Sequence, residues 1–578
     1  MQFAVLSQGL LQAALPWLSR LFALLTMLLL VGLMPEIAGI DPTQALLRAR
    51  AGHQQLLTAE ALQSVNEALQ LQRSAPERLW DWFSAALRGD LGLSWVDGQS
   101  VLQHVYRSSQ TSLLLMCVSL LLTIGFCVAG VVITFWRWQQ NHLSLQHNTL
   151  SSVLISLPEY VIATLLILIF AIGLGWFPAY GWQGWSSIWL PSLALAIPAS
   201  GLLSRLIHDS LNRVLLEPWV LTWLSANVRL WQIGRFALKR TLAQLLPQFA
   251  MVAIGLTGGA VAVEQIFAIP GIGQLLLGAA KAQDLPLLQG GLLVLLLFSM
   301  LVSSVALLLQ RHVLGPTTDS GKLISSHQHF QFTQTTAKRW LSASLLGLLV
   351  FCALWALLRD PYTIAHPRLA PMSGALPFGA DAVGRDLLAR IGAGMFTTLK
   401  LGLIATALSL LLGLIMGIAH RYTQGVIEVT KAIPYIVAGL LVAGLTGMAS
   451  YSAMLAIVLV SWAPLASHCT SLLTEAKAQP HAHLAPIWGN SRWRIWRYYL
   501  LPYLLPPLFR HALLRLPVIT LSLTALSFIG LGAPPPSPQW GLLIAENLPY
   551  FERAPQAVLL PISGLIMLAI AINLLFDD

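Results

Sequence analysis

Apolar runs of membrane-crossing length recur along nearly the whole chain. They lie at Leu18–Met34 and at about 111–135, 149–175, 188–207, 247–267 and 290–309; a second set follows at about 340–357, 396–419, 431–448, 452–470, 503–530 and 556–576. About 20 apolar residues in a helix cross the roughly 30 Å of bilayer hydrocarbon. The runs are unbroken stretches of Leu, Ile, Val and Ala, so each predicts a helix. A membrane β-barrel is excluded, because its strands alternate apolar and polar positions. Polar chain interrupts the pattern at 35–108 and 310–338. The first stretch has helix-forming composition (AEALQSVNEALQ) and predicts a folded loop over 36–108. The second, RHVLGPTTDSGKLISSHQHFQFTQTTAKR, lacks apolar periodicity and reads as a linker. The chain therefore reads as an all-α polytopic membrane protein of two six-span halves. An even number of spans returns the chain to its starting side, so the halves are parallel repeats.

Composition agrees. Of 578 residues 56% are hydrophobic and 10% charged, against about 25% charged in soluble domains. The formal net charge is +10. The basic residues are dispersed among spans, which argues against nucleic-acid binding and for contact with anionic lipid. They gather in 205–240, 311–339 and 477–497, which the positive-inside rule places in the cytoplasm. Both termini are then cytoplasmic and the 36–108 loop lies outside. The first apolar run lacks a small-residue cleavage site and leads into further spans, so it reads as a span and not a cleaved signal. Cys117, Cys127, Cys352 and Cys469 lie in or beside apolar runs without metal-ligand spacing and read as small hydrophobes. His327 and His329 in the linker have no acidic or cysteine partner nearby, so no metal site is expected.

No stretch carries enzyme chemistry. There is no GxxxxGK[ST] phosphate loop, no HExxH, no dinucleotide fingerprint and no nucleophile elbow. No catalytic residue and no bound cofactor are expected, so transport must be driven by an attached ATPase or an ion gradient. The spans read as almost free of ionisable residues, apart from Glu159 after Pro158 and Glu264 near the outer end of the fifth. Glu264 has two readings: a carboxylate capping the helix break at Pro270-Gly271, or a group lining an outer vestibule. Asp381 with Arg385-Asp386 reads as a local turn and ion pair, with substrate contact as the alternative.

Two connectors between spans are basic and amphipathic. In LAPIWGNSRWRIWRYYLLPYLLPP (484–507) a helix is expected to end at a Gly489-Asn490 turn, with Ser491 capping a second helix. Trp493, Trp496 and Leu500 make one apolar stripe, with Arg492, Arg494 and Arg497 off it. Such an element suits headgroup contact or docking into a groove on a cytosolic partner. The connector 208–246 holds the same place in the first half. It carries Arg213, Arg229, Arg235, Lys239 and Arg240, and its turn is expected at Ala226-Asn227, Asn tolerating left-handed backbone.

These stretches resemble the permeases of peptide- and nickel-class ABC importers. Gly489, Ala485, Leu501-Pro502 and Leu505-Pro506-Pro507 resemble the cytoplasmic coupling loop whose short helix enters a groove on the ATPase. ALRGDLGLSWVDGQSV (86–101) and VEQIFAIPGIGQLLLGAAKAQDLPLLQG (263–290) resemble the B-type permease. FGADAVGRDLLARIGAGMFTTLKLGLIATALSLLLGLIMG (378–417) and ALSFIGLGAPPPSPQWGLLIAE (525–546) resemble the C-type. The resemblance implies a fused permease of the type I importer fold: a B-type half over 1–309, a linker over 310–338 and a C-type half over 339–578. It implies two cytosolic ATPase subunits that bind ATP-Mg, an extracytoplasmic solute-binding protein and a bacterial inner membrane. In this reading Trp493 and Trp496 anchor the ATPase, Arg492, Arg494 and Arg497 form a charged rim, Ala226, Asn227 and Arg229 belong to the first coupling loop, and Glu264, Pro270, Gly271 and Asp381 border the outer pathway. The cargo is oligopeptides or dipeptides, with nickel or a metal chelate as the alternative. An ion-gradient-driven secondary transporter is the alternative of another class.

Overall fold

The structure, a computed structural model, describes residues 74–140, 157–314, 336–356, 358–431, 433–446, 449–479 and 484–576, with isolated residues 25, 46, 154 and 482. The expected span Leu18–Met34, most of the outer loop before Ser74, and most of the linker, with His327 and His329, lie outside the described residues. Among the described residues every regular element is helical.

In chain order these are α1 (Ala75–Ala86), α2 (Val101–Gln139), α3 (Glu159–Leu166, extended by a π-turn over Ile167–Gly173), α4 (Trp189–Leu215), α5 (Pro218–Ser225), α6 (Leu230–Ile266), α7 (Ile272–Ala282), α8 (Leu285–Leu314), α9 (Thr336–Ala356), α10 (Leu387–Ile418), α11 (His420–Lys431), α12 (Tyr435–Thr446), α13 (Ser450–Ala478), α14 (Arg492–Ile495, continued by a π-turn over Trp496–Leu500), α15 (Leu501–Ile529), α16 (Trp540–Asn547) and α17 (Gln556–Phe576). Nine helical stretches among the described residues are long and apolar enough to cross a membrane, and Glu159–Gly173 is a shorter apolar one. The expected span at 431–448 contains only α12, ~18 Å long by helical rise. The expectation of nearly uncharged spans needs correction: Arg205, His208, Asp209, His468, Arg510, His511 and Arg515 all lie within span-length helices. The Leu and Ile around them keep the average apolar and mask them.

The described residues fall into two compact units, one within Met1–Leu102, Leu276–Leu293 and Thr335–Asp577, the other within Gln103–Leu275 and Val294–Gln334. In the second, Leu115 of α2, Ile162 and Ala163 of α3, Leu195 of α4 and Leu256 and Val263 of α6 share one buried core. The opposite side of α2 exposes Leu121, Val128, Val132 and Trp136, as a face turned to lipid requires. In the first unit, α10 packs on α13 through Gly413 and Gly417, whose added Cβ atoms would come within 2.7 Å of Leu465 and 2.6 Å of Cys469. Lipid offers no hydrophobic drive between helices, so close backbone approach at small residues holds them together.

Candidate functional site

The two basic connectors converge on one local geometry. In the first, Glu217 stands before α5, and its carboxylate accepts from Trp219 Nε1 at 2.8 Å and pairs with Arg240 at 3.1 Å. Beyond α5 the chain turns through Asn227, at φ +55°. The Val228 N–H donates to the Trp223 carbonyl at 3.0 Å, which satisfies an otherwise open helix C-terminus. Arg229 is extended, and α6 begins at Leu230. In the other connector the N–H groups of Gly489 and Asn490 donate to Pro486 and Ala485 carbonyls at 3.0 and 3.1 Å. Gly489 has φ +74°. Ser491 Oγ accepts from the Arg494 N–H at 3.3 Å, as expected of a helix N-cap. Each connector thus reverses at one left-handed residue, and a Trp follows four positions on. Trp231 is 72% exposed and Trp493 73%.

Several site residues are placed differently from their expected roles. Ahead of Asn490, residues 485–489 form a turn, in which Ala485 is fully buried. The second helix does not stop before the next span; it runs through a π-turn into α15. Such a turn fits just ahead of Pro502, which has no N–H for the regular ladder. The stripe is graded: Leu500 is buried, Trp496 packs beside Leu473, Ala476 and Leu500 of its own chain, and Trp493 stands clear. Arg492, Arg494 and Arg497 are exposed. Sequence reasoning passed over Leu221, Ile487 and Trp488, which are exposed at 66, 78 and 62% beside the same turns. Their signal was large apolar side chains in a connector that no span explains.

The motifs at 86–101, 263–290 and 378–417 form buried polar clasps. Glu264, fully buried near the end of α6, accepts from Ser112 Oγ at 2.5 Å and from the N–H groups of Gly273 and Gln274 at 2.9 and 3.1 Å. Ser112 Oγ in turn accepts from the Ile272 N–H at 2.8 Å. The carboxylate therefore caps the N-terminus of α7, where orphan N–H groups and the helix dipole favour an anion. Ala268 takes φ +52° at the break, Pro270 is exposed, and Gly271 is buried with no room for a Cβ against Glu264. Asp284 joins the 263–290 stretch to the 86–101 stretch: it accepts from Ser94 Oγ at 2.6 Å and from the Leu287 N–H at 3.3 Å.

Asp381 is 1% exposed. Its Oδ1 accepts from the N–H groups of Val383, Gly384 and Arg385, each at 2.9 Å. Its Oδ2 accepts from Arg385 Nε at 2.8 Å and Arg390 Nη1 at 2.6 Å. Arg390, fully buried, also reaches Glu546 at 3.0 Å, tying this loop to α16. Burial alone would push the Asp381 carboxyl up. The N–H groups of Arg385 and Val383 and the charges of Arg390 and Arg385 outweigh that and hold it below its usual range. Among the described residues no cluster of three or more metal-ligating side chains occurs.

Comparison with known proteins places this architecture. The model of the binding-protein-dependent transport system inner membrane component family matches residues 123–314 and, a second time, residues 379–577. The glutathione transport system permease protein GsiC of Escherichia coli O6:H1 is 29% identical over 251 residues, 43% of this chain and 81% of that protein. The GsiC proteins of Escherichia coli K12 and Shigella dysenteriae serotype 1 are each 28% identical over the same lengths. The chain carries two copies of one all-α permease plan in a single polypeptide, a fusion of the peptide and nickel class. Matched twice and over most of its length, this multi-pass chain belongs to the family of inner membrane components of binding-protein-dependent transport systems.

Proposed function

We propose that this chain forms the whole translocation pathway of an ATP-driven importer of small peptides. Two ATPase subunits dock on its two cytoplasmic connectors, and an extracytoplasmic binding protein delivers cargo to the outer face. The B-type half covers 1–309, the linker 310–338 and the C-type half 339–578, and both termini are cytoplasmic. The observation that carries this reading is the repeated connector: two left-handed turns, at Asn227 and Gly489, each followed four residues on by an exposed Trp. A large exposed apolar side chain in a basic, water-facing segment is a docking feature, since buried aromatics and Arg dominate interface energies. ATP closes the ATPase pair and pulls on both connectors; α6 and the continuous α14–α15 helix, rigid over their length, carry that motion to the pathway. Relatives named as glutathione permeases support a small peptide as cargo.

The test is co-purification of tagged chain with its ATPase subunits. Wild type is expected to retain them, and Trp231→Ala with Trp493→Ala to lose them while the chain still folds. Retention by the double variant, or uptake that follows a proton or sodium gradient without ATP, would overturn the reading.

A further inference from the structure

The most expensive unexplained feature of the C-type half is a cluster of basic side chains inside two packed spans. Helices α13 and α15 meet through Leu465 and Cys469 on one side and Leu504, Leu508 and Ala512 on the other. At the edge of this seam the rings of His468 and His511 lie 4.4 Å apart, tilted by 33°. Arg515 stands one helical turn beyond His511 on the same face of α15. Its Nε is buried and has no hydrogen-bond partner among the described residues. Glu475, two turns along α13 from His468, accepts from the Tyr503 hydroxyl at 2.8 Å.

Depth sharpens the point. At 1.5 Å per residue, His468 and His511 each lie ~27 Å along their helices from Ser450 and Ile529, and Arg515 ~21 Å from Ile529. With the 484–491 connector in the cytoplasm, those far ends face outward. Across a hydrocarbon layer roughly 30 Å thick, Arg515 then lies ~9 Å short of the inner boundary and the two imidazoles close to it. A guanidinium inside that layer is costly, and such groups pair or line a polar path. Here one guanidinium and two imidazoles gather, and the buried Arg515 Nε has no hydrogen-bond partner among the described residues.

We propose that Arg515, flanked by the His468–His511 pair, forms a polar station on the transport path that receives the carboxylate of an anionic peptide as it leaves toward the cytoplasm. The proposal rests on the reading of the chain as a peptide-importer permease. A charge-assisted hydrogen bond from Arg515 holds the carboxylate transiently, and the paired imidazoles supply further donors.

The experiment uses full-length chain with its ATPases and binding protein in proteoliposomes. It counts tripeptide taken up per ATP hydrolysed, for the free acid and for its C-terminal amide. Arg515→Gln is expected to lower free-acid uptake per ATP about tenfold, with binding-protein-stimulated ATP hydrolysis unchanged and the amide unaffected. Arg515→Lys, which keeps the charge, should recover most of the loss. The proposal is overturned if Arg515→Gln and a His468→Gln/His511→Gln pair leave the ratio unchanged. It is equally overturned if free acid and amide fall together, or if ATP hydrolysis falls with uptake in both Arg515 variants, which marks a structural role. Wild type that moves no peptide with ATP and binding protein present would instead remove the permease reading itself.

Discussion

At Gly489 and Asn227 the chain enters left-handed backbone for a reason that is local and measurable. No atom lies within 4 Å of where a Gly489 Cβ would stand, so Gly489→Ala meets no clash and costs only the left-handed penalty, about 1–2 kcal/mol. Weaker ATPase retention is expected for Gly489→Ala, and retention at least equal to wild type for Asn227→Gly, checked by co-purification. Glu264 is a sharper case. Glu264→Gln leaves one acceptor oxygen where two serve, so its NH2 must face either the Ser112 hydroxyl proton or the N–H groups of Gly273 and Gln274. The loss is expected to be about 1–3 kcal/mol, read as a lower thermal midpoint in detergent. Asp381 sets a pH dependence. Its folded pKa lies below the unfolded value, so its contribution is fully present above about pH 4 and is lost as pH falls through the folded value. The stability gap between wild type and Asp381→Asn should therefore be level from pH 8 to about pH 5 and shrink below about pH 4; a gap that widens on acidification would contradict the clasp.

At the scale of the element, the continuous helix from Arg492 through α15 separates two tryptophans that look alike in sequence. Trp496 packs against Leu473, Ala476 and Leu500, and Trp496→Ala should lower thermal stability by about 2–4 kcal/mol, toward the cost of aromatic truncation in cores. Trp493 is mostly exposed, so Trp493→Ala should change stability by less than about 0.5 kcal/mol while weakening ATPase retention. Thermal unfolding and co-purification on the same two variants separate the roles; equal destabilisation would refute the assignment. The helical spacing did show that Trp493, Trp496 and Leu500 share a face. It could not show how far that face is covered, because coverage depends on where α13 lies beside it. The left-handed turn was easier to read, since Gly and Asn are the residues that tolerate it and the conformation is settled within a few neighbours.

For the whole molecule, orientation is the property most directly testable. In a cysteine-free background, Ser225→Cys beside the first turn and Trp488→Cys beside the second should react with a membrane-impermeant thiol reagent only from the cytoplasmic side. Gln99→Cys, exposed in the outer segment, should react only from outside; any inverted label breaks the topology. The alternation of apolar runs and basic connectors determined by itself that this is a helical membrane protein with a repeated plan, because length, hydropathy and charge asymmetry act residue by residue against the bilayer. Gly and Asn placed the two turns for the same reason, since they constrain their own backbone. Only the tertiary structure decided which carboxylates were clasps. Ser112 reaches Glu264, Ser94 reaches Asp284, and Arg390 reaches Glu546, pairings between segments distant in the chain that no local pattern encodes. It decided likewise that the Arg515 Nε has no partner among the described residues one turn from the His468–His511 pair, since a charge hidden in an apolar run acquires meaning from what the neighbouring helix does or does not offer it.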